Sequence, residues 1–252
     1  MAMPSAEKLS EFSGRGSQLV GKIAIVVALH REVSGLVKNW ESVKKQYENR
    51  DFTFFEGDGL VLVCGGIGAE PARRATEAII SLYQPGLIVS AGFAGAMIPE
   101  LRVGDLLTPR WVIDATDGSR RETGSGEGAL LTINQVAGAD RKTKLAEAYG
   151  AKAVDMESAA VARGAEAHGV RFLAIKVISD PLDFAMPPVD LFVNRAGQFK
   201  TASFAAYTAL RPWLWKSVIQ LCRNSSVASR VLRNTLAQES IFGVTASNRS
   251  NS

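Results

Sequence analysis

Cysteine and histidine are scarce in this 252-residue chain: Cys64 and Cys222, His30 and His168 are all it has. Two cysteines cannot build a disulfide framework or a Cys-rich zinc site, and two histidines argue against a His-based metal centre. Long apolar runs are missing as well. Ile23–Leu29 is only seven residues long, far short of the ~20 a membrane-spanning helix needs. The first twenty residues carry Pro, Gly, Ser and charges but no apolar segment, which predicts no signal peptide. These absences predict a reduced, cytoplasmic protein without metal or cofactor. What is present, 46% hydrophobic and 21% charged residues, is the composition of an ordinary globular chain of one to two domains. The net charge of +4 is unevenly spread: residues 191–252 hold eight Lys/Arg against one acid, Glu239, so the rest of the chain is mildly acidic.

Residues 1–21 read as a flexible leader. Ile23–Leu29 is a short continuous apolar run, as expected of a strand buried on both faces, and Leu60–Cys64, Gly86–Ser90 and Phe172–Ile178, apolar apart from Ser90 and Lys176, read as further buried strands. Helices are expected over Arg31–Tyr47, Glu70–Tyr83, Lys142–Tyr149 and Ser158–His168, and a weak hairpin around Phe52–Phe55 and Gly57–Gly59. Leu106–Ile113 and Ala129–Val136 read as further strands around a polar Gly/Ser-rich loop, Gly118–Gly128. Alternating strands and helices predict an α/β fold: one domain, 22–204, built as a three-layer sandwich on a mixed, largely parallel sheet. Over 205–238 the pattern becomes an amphipathic helix, interrupted near Pro212. Leu210, Leu214, Val218, Leu221, Ala228 and Leu232 share one face, and Arg211, Lys216, Arg223 and Arg230 lie opposite. Residues 239–252 read as a frayed tail.

In open α/β sheets ligands bind beyond the carboxyl ends of strands. Three strand ends carry suitable chemistry: Ala28-Leu29-His30-Arg31-Glu32, the small-residue loop Ser90–Ala96, and Ile178-Ser179-Asp180-Pro181. Val154-Asp155-Met156-Glu157-Ser158 adds two acids and a thioether at the start of a helix, where the helix dipole alone already favours acids.

These segments, together with Gly66-Ile67-Gly68 and Val103-Gly104-Asp105, resemble the nucleoside phosphorylase/nucleosidase superfamily, in particular its methylthioadenosine/S-adenosylhomocysteine nucleosidase branch. The resemblance covers roughly Lys22–Phe184. The C-terminal third looks most like the hopanoid-associated phosphorylases, in Ser179-Asp180-Pro181 followed by Pro187-Pro188 and in the basic helix. The implied reaction is cleavage of the N-glycosidic bond between a purine and a ribose, which leaves positive charge on the sugar and negative charge on the base. By resemblance, Asp180 would protonate or hydrogen-bond N7 of a 6-aminopurine, which needs a carboxyl carrying its proton. Glu157 would hold the ribose hydroxyls, Met156 would pack beneath the sugar, and Glu32 would activate water. Lys176 stands where relatives have an Arg at the sugar end. Ala28, Ile67, Ala91, Gly92, Phe93, Val136, Asp155 and Ser179 complete the implied lining.

Departures from the nucleosidases point to the substrate. Phe93 sits where they have a Ser, Val136 near a base-stacking Phe, and the segment between Asp114 and Ala129 is shorter. An apolar pocket follows, and with it a bulky 5′ substituent, an adenosylhopane-like nucleoside being the first reading and methylthioadenosine or S-adenosylhomocysteine the alternative. Water and phosphate remain open as nucleophiles. Glu32 favours water, whereas Arg31 and Arg73 are candidates to hold phosphate, although Arg73 and Arg74 also read as solvated helix charges. The basic helix, with Trp213 and Trp215, fits either peripheral contact with an anionic membrane or packing on the core or on a neighbouring subunit. Relatives imply a homo-oligomer. No nucleic-acid partner is expected, because the positive charge is confined to one helix. A dinucleotide-binding oxidoreductase is a distant rival: Gly66-x-Gly68 follows a strand, but the third glycine position is Pro71 and no acid ends the next strand.

Overall fold

The computed structural model describes residues 22–194 and 196–238, so the expected leader and frayed tail lie outside the described residues. Chain order is β1 (Ile23–Val27), α1 (His30–Val33), β2 (Glu41–Tyr47), β3 (Arg50–Gly57), β4 (Leu60–Cys64), α2 (Ala69–Tyr83) and β5 (Leu87–Ala96). Then follow β6 (Leu106–Leu107), β7 (Trp111–Asp114), β8 (Arg120–Glu122), β9 (Ala129–Thr132), α3 (Ala139–Tyr149) and β10 (Ala153–Asp155). The last elements are α4 (Ser158–Ala167), β11 (Arg171–Asp180), α5 (Thr201–Ala209) and α6 (Pro212–Leu236).

The four apolar runs form the centre of the sheet. β1 lies between β4 and β5, parallel to both, and β5 runs parallel to β11. The full order is β2-β3-β4-β1-β5-β10-β9-β7-β8, with β11 beside β5 and β6 against β11. Every residue of β1 is buried. Ala24 and Val26 pack with the alanines of α2 and α4 on one face, and Ile23, Ile25 and Val27 pack with Ala228, Leu232 and Leu236 of α6 on the other. A strand with no polar face needs a layer on each side, and the expected three-layer α/β sandwich with a mixed, largely parallel sheet results. Small residues let α2 and α4 approach closely, since a Cβ on Gly164 would fall 2.6 Å from Thr76 Cγ2.

Several elements differ from expectation. The helix expected over Arg31–Tyr47 ends at Val33; a 3-10 turn, Val37–Asn39, leads into β2. Glu41–Tyr47 alternates exposed with half-buried side chains, the period of a strand at a sheet edge, and pairs with β3 through a tight turn in which Glu48 and Asn49 both have positive φ. Such a turn matches the twist of a hairpin. The expected strand Leu106–Ile113 splits into β6 and β7, Ala129–Val136 stops at Thr132, and the Gly118–Gly128 loop contains β8. The C-terminal amphipathic segment forms two helices, α5 and α6, and the interruption, expected near Pro212, falls at Leu210–Arg211. Pro212 opens α6, where its missing N–H costs nothing. Leu210, expected on the inner face, is 79% exposed.

Candidate active site

β1, β5 and β11 are parallel neighbours, so their C-terminal ends open on the same side of the sheet. A cavity of about 190 Å³ lies there. Ala28, Arg31 and Glu32 reach it from the end of β1 and from α1, and Ala91, Gly92 and Phe93 from the second half of β5. Ser179 and Asp180 arrive from the end of β11, and Asp155, Met156 and Glu157 from the β10–α4 junction. Ile67, from the glycine turn after β4, and Val136, after β9, close it. Segments far apart in sequence thus meet at one place because the strand order brings their ends together.

The glycine turn serves a carboxylate rather than a dinucleotide. Gly68, with φ 99°, donates its N–H to Glu157 Oε1 at 2.9 Å, and the Met156 N–H reaches Oε2 at 3.3 Å. Asp155 is held from three sides. The Thr132 hydroxyl donates to Oδ1 at 2.7 Å, while the Ser158 N–H and the Lys176 ammonium each reach Oδ2 at 3.0 Å. Lys176 is only 1% exposed. It is therefore one ammonium serving a nest of three carboxyls, and the charge does not balance. Burial, and secondarily the neighbouring Asp155, raise the Glu157 pKa to about 7. Burial and then Glu157 raise Glu32 to about 8, against the smaller opposing pull of Lys176 and Arg31. Glu32 Oε2 is buried without a hydrogen-bond partner. The backbone leaves it little room: a Cβ on Gly92 would sit 3.1 Å from that oxygen. A buried, unpartnered carboxyl with a raised pKa beside a cavity has the features of a general base awaiting water.

Three expectations need correction. Lys176 is spent on Asp155 and does not line the cavity; Asp155 does line it, but its oxygens already have three donors. Arg73 lies on α2, tied to Glu70 and Glu77, outside the cavity lining; Arg74 is paired with Glu70. Asp180 was expected to carry a proton, yet it accepts from two groups. Ser179 Oγ donates to Oδ1 at 2.9 Å and Lys142 Nζ meets Oδ2 at 2.5 Å. The sequence reading missed Lys142, which looks like one more solvated helix lysine, and it missed Leu221 and Ser225, with which α6 closes one side of the cavity. The faint signal for Lys142 is a cation near a helix N-terminus, where the dipole disfavours it. Among the described residues no cluster of His, Cys, Asp and Glu could hold a metal ion, and no described helix is long and apolar enough to cross a membrane.

A family model described as the phosphorylase superfamily matches residues 22–140 and 127–210. The chain belongs to that superfamily, and the expected class, an enzyme of the nucleoside phosphorylase/nucleosidase kind, is the class its relatives define. A 5′-methylthioadenosine/S-adenosylhomocysteine nucleosidase of Actinobacillus succinogenes is 26% identical over 201 residues, covering 64% of this chain and 86% of that one. One of Bacillus licheniformis is 33% identical over 89 residues, but the match spans only 34% of this chain and 38% of the relative. The apo structure of 5′-methylthioadenosine nucleosidase from Arabidopsis thaliana superposes with a TM-score of 0.67 at 18% identity, covering 90% of this chain and 96% of that one. At that identity the likeness shows the fold alone.

Proposed function

We propose that this protein hydrolyses the N-glycosidic bond of an adenosine carrying a bulky apolar 5′ substituent, adenosylhopane-like in character, and releases adenine. One observation carries the choice of substrate. Through Arg31, Phe93, Leu221 and Ser225 the cavity adjoins a groove of about 790 Å³ between α1, α5 and α6; Phe93, Phe199, Phe204, Val218 and Leu221 form its apolar part, and Arg31, Arg230, Arg233 and several hydroxyl side chains line the rest. In this reading the cavity holds the nucleoside, and the groove offers apolar surface to whatever extends from its 5′ carbon. In this reading Asp180, with Ser179, faces the imidazole edge of the purine, Glu157 accepts from the ribose hydroxyls, and Met156 packs beneath the sugar. Glu32 takes a proton from the attacking water. Water is favoured over phosphate because Arg73 and Arg74 are engaged elsewhere and Lys142 is paired with Asp180. That leaves Arg31, which stacks over Phe199, beside acidic Glu32.

A series of 5′-alkylthioadenosines of increasing chain length tests the assignment. Each methylene buried in the groove is worth about 0.8 kcal/mol, or about threefold to fourfold in kcat/KM, until the groove is full. Leu221→Trp, which narrows the groove, flattens the series without abolishing turnover of the shortest member. Equal or better turnover of adenosine or methylthioadenosine than of any longer analogue contradicts the apolar 5′ group and leaves an ordinary methylthioadenosine/S-adenosylhomocysteine nucleosidase.

The N-terminal end of α6 supports a membrane location for such a substrate. Trp213 is 72% exposed, Trp215 50% and Ile219 52%, with Arg211 and Lys216 on the same stretch. Aromatic side chains beside cations suit the interface of an anionic bilayer. The protein is expected to float with vesicles containing phosphatidylglycerol and to lose this on Trp213→Ala/Trp215→Ala/Lys216→Glu. Equal flotation of the wild type and the triple variant, or none of the wild type, removes the membrane contact.

A further inference from the structure

Lys142 is 4% exposed, and lysine is almost never buried without a partner. It sits in the first turn of α3, where the helix dipole opposes a cation, so burial and position both disfavour its charge. Asp180 offsets them through an ammonium–carboxylate contact of 2.5 Å; among the described residues the only other acceptor for Nζ is the Pro181 carbonyl at 3.5 Å. The pair occupies space kept clear by a missing side chain: a Cβ on Gly95 would lie 2.7 Å from Asp180 Oδ2 and 3.0 Å from Lys142 Nζ. Both residues line the cavity.

This arrangement conflicts with the simplest role for Asp180. A departing purine must gain a proton, yet Asp180 accepts from Ser179 on one oxygen and from Lys142 on the other. Lys142 Nζ is the donor on the side of Asp180 Oδ2. We infer that Lys142 is the proton source for the leaving base, acting through Asp180. As the C1′–N9 bond breaks, its electron pair stays on the purine. A proton moves from Nζ to the Asp180 carboxylate and on to N7, forming N7–H, while Lys142 becomes a neutral amine and Asp180 returns to carboxylate. The charges balance: the ammonium and the purinyl anion are both neutralised. Proton uptake from solvent restores the ammonium after release. Lys142 is thus a positioning residue that acts through Asp180 on the substrate, and its role rests on the reading of Asp180 as the group facing N7.

The test compares two leaving groups on one sugar: adenine, which needs a proton to depart, and 4-nitrophenolate, which does not. Lys142→Met is expected to lower kcat/KM for the 5′-alkylthioadenosine by about 100-fold, the usual scale of a lost proton donor, and for the 4-nitrophenyl riboside less than a tenth as much. Lys142→Arg keeps a charge beside Asp180, but its guanidinium gives up no proton, so it loses adenine release much as Lys142→Met does while keeping cleavage of the 4-nitrophenyl riboside. Equal losses on both substrates mean that Lys142 serves only packing and overturn the inference, as does undiminished adenine release by Lys142→Met. Because the 4-nitrophenyl riboside reports a folded, functioning sugar site, misfolding of the variant is recognised as loss of both activities and of the wild-type melting transition; the Arg variant then decides, losing adenine release but not 4-nitrophenyl riboside cleavage if the inference holds, and keeping the wild-type selectivity between the two leaving groups if not. A wild-type protein that cleaves neither compound refutes the nucleosidase reading itself.

Discussion

Replacing Glu32 by Gln is expected to stop base release and, at pH 8, to make the protein more stable. Both effects come from one buried carboxyl. Glu32 is 4% exposed, has an oxygen without a partner, and holds its proton up to about pH 8 rather than 4.5, first because of burial and then because of Glu157. Between these two values the unfolded chain gives up this proton while the folded protein keeps it. Wild-type stability therefore falls as pH rises from about 4.5 to about 8; the contribution is fully present below the unfolded pKa and lost through the folded one. A shift of that size corresponds to roughly 4 kcal/mol at pH 8. Gln has no proton to lose, so the variant should match the wild type near pH 4 and exceed it by that order at pH 8 in denaturant titrations. Catalysis moves the opposite way. As a general base Glu32 works only when ionised, so kcat/KM for the wild type rises with pH through about 8, and the variant falls by at least about 100-fold. A variant that is fully active, or less stable than the wild type at pH 8, contradicts the assignment.

The second large effect concerns the groups that hold the substrate. Glu157→Gln and Asp180→Asn are each expected to lower adenine release by roughly 1,000-fold, for different reasons. An amide at 157 can place its oxygen on only one of the two N–H groups, of Gly68 and Met156, that now reach Oε1 and Oε2, and it loses the charge that favours a developing cation on the sugar. An amide at 180 breaks the contact with Lys142 and interrupts the path of the proton. Steady-state kinetics separate the two. Glu157→Gln loses activity with both adenine and 4-nitrophenolate as leaving groups, whereas Asp180→Asn loses it mainly with adenine. Retained adenine release in both variants overturns the site.

Much of this arrangement is legible in the sequence because the informative segments are extreme. Ile23–Val27 and Leu60–Cys64 are apolar on every residue and Phe172–Ile178 on every residue but Lys176, which only a strand covered on both faces tolerates, and the strand ends lead to Glu32 and Asp180. Glu41–Tyr47 misled the reading because its Lys, Glu and Gln suit a helix surface as well as an exposed sheet edge; only the turn at Glu48-Asn49 separates the two. Lys142 was invisible for a related reason. A lysine in an amphipathic helix reads as solvated unless the strand bearing Asp180 is known to end beside it. Lys176 stood out because its surroundings are apolar, but its partner, Asp155, comes from another strand, so its burial was foreseeable and the closed ion pair was not. The groove along α6 depends on where that helix docks, which the apolar face of its sequence does not specify.

The central claim is cleavage between base and sugar, and one measurement addresses it: chromatographic detection of free base after incubating the protein with a 5′-octylthioadenosine, adenosine, inosine, methylthioadenosine and S-adenosylhomocysteine, in phosphate-free buffer and again with phosphate. The account predicts free adenine, matched by an equal amount of reducing sugar, fastest from the octyl compound and independent of phosphate. No free base from any of the five, with or without phosphate, would contradict it.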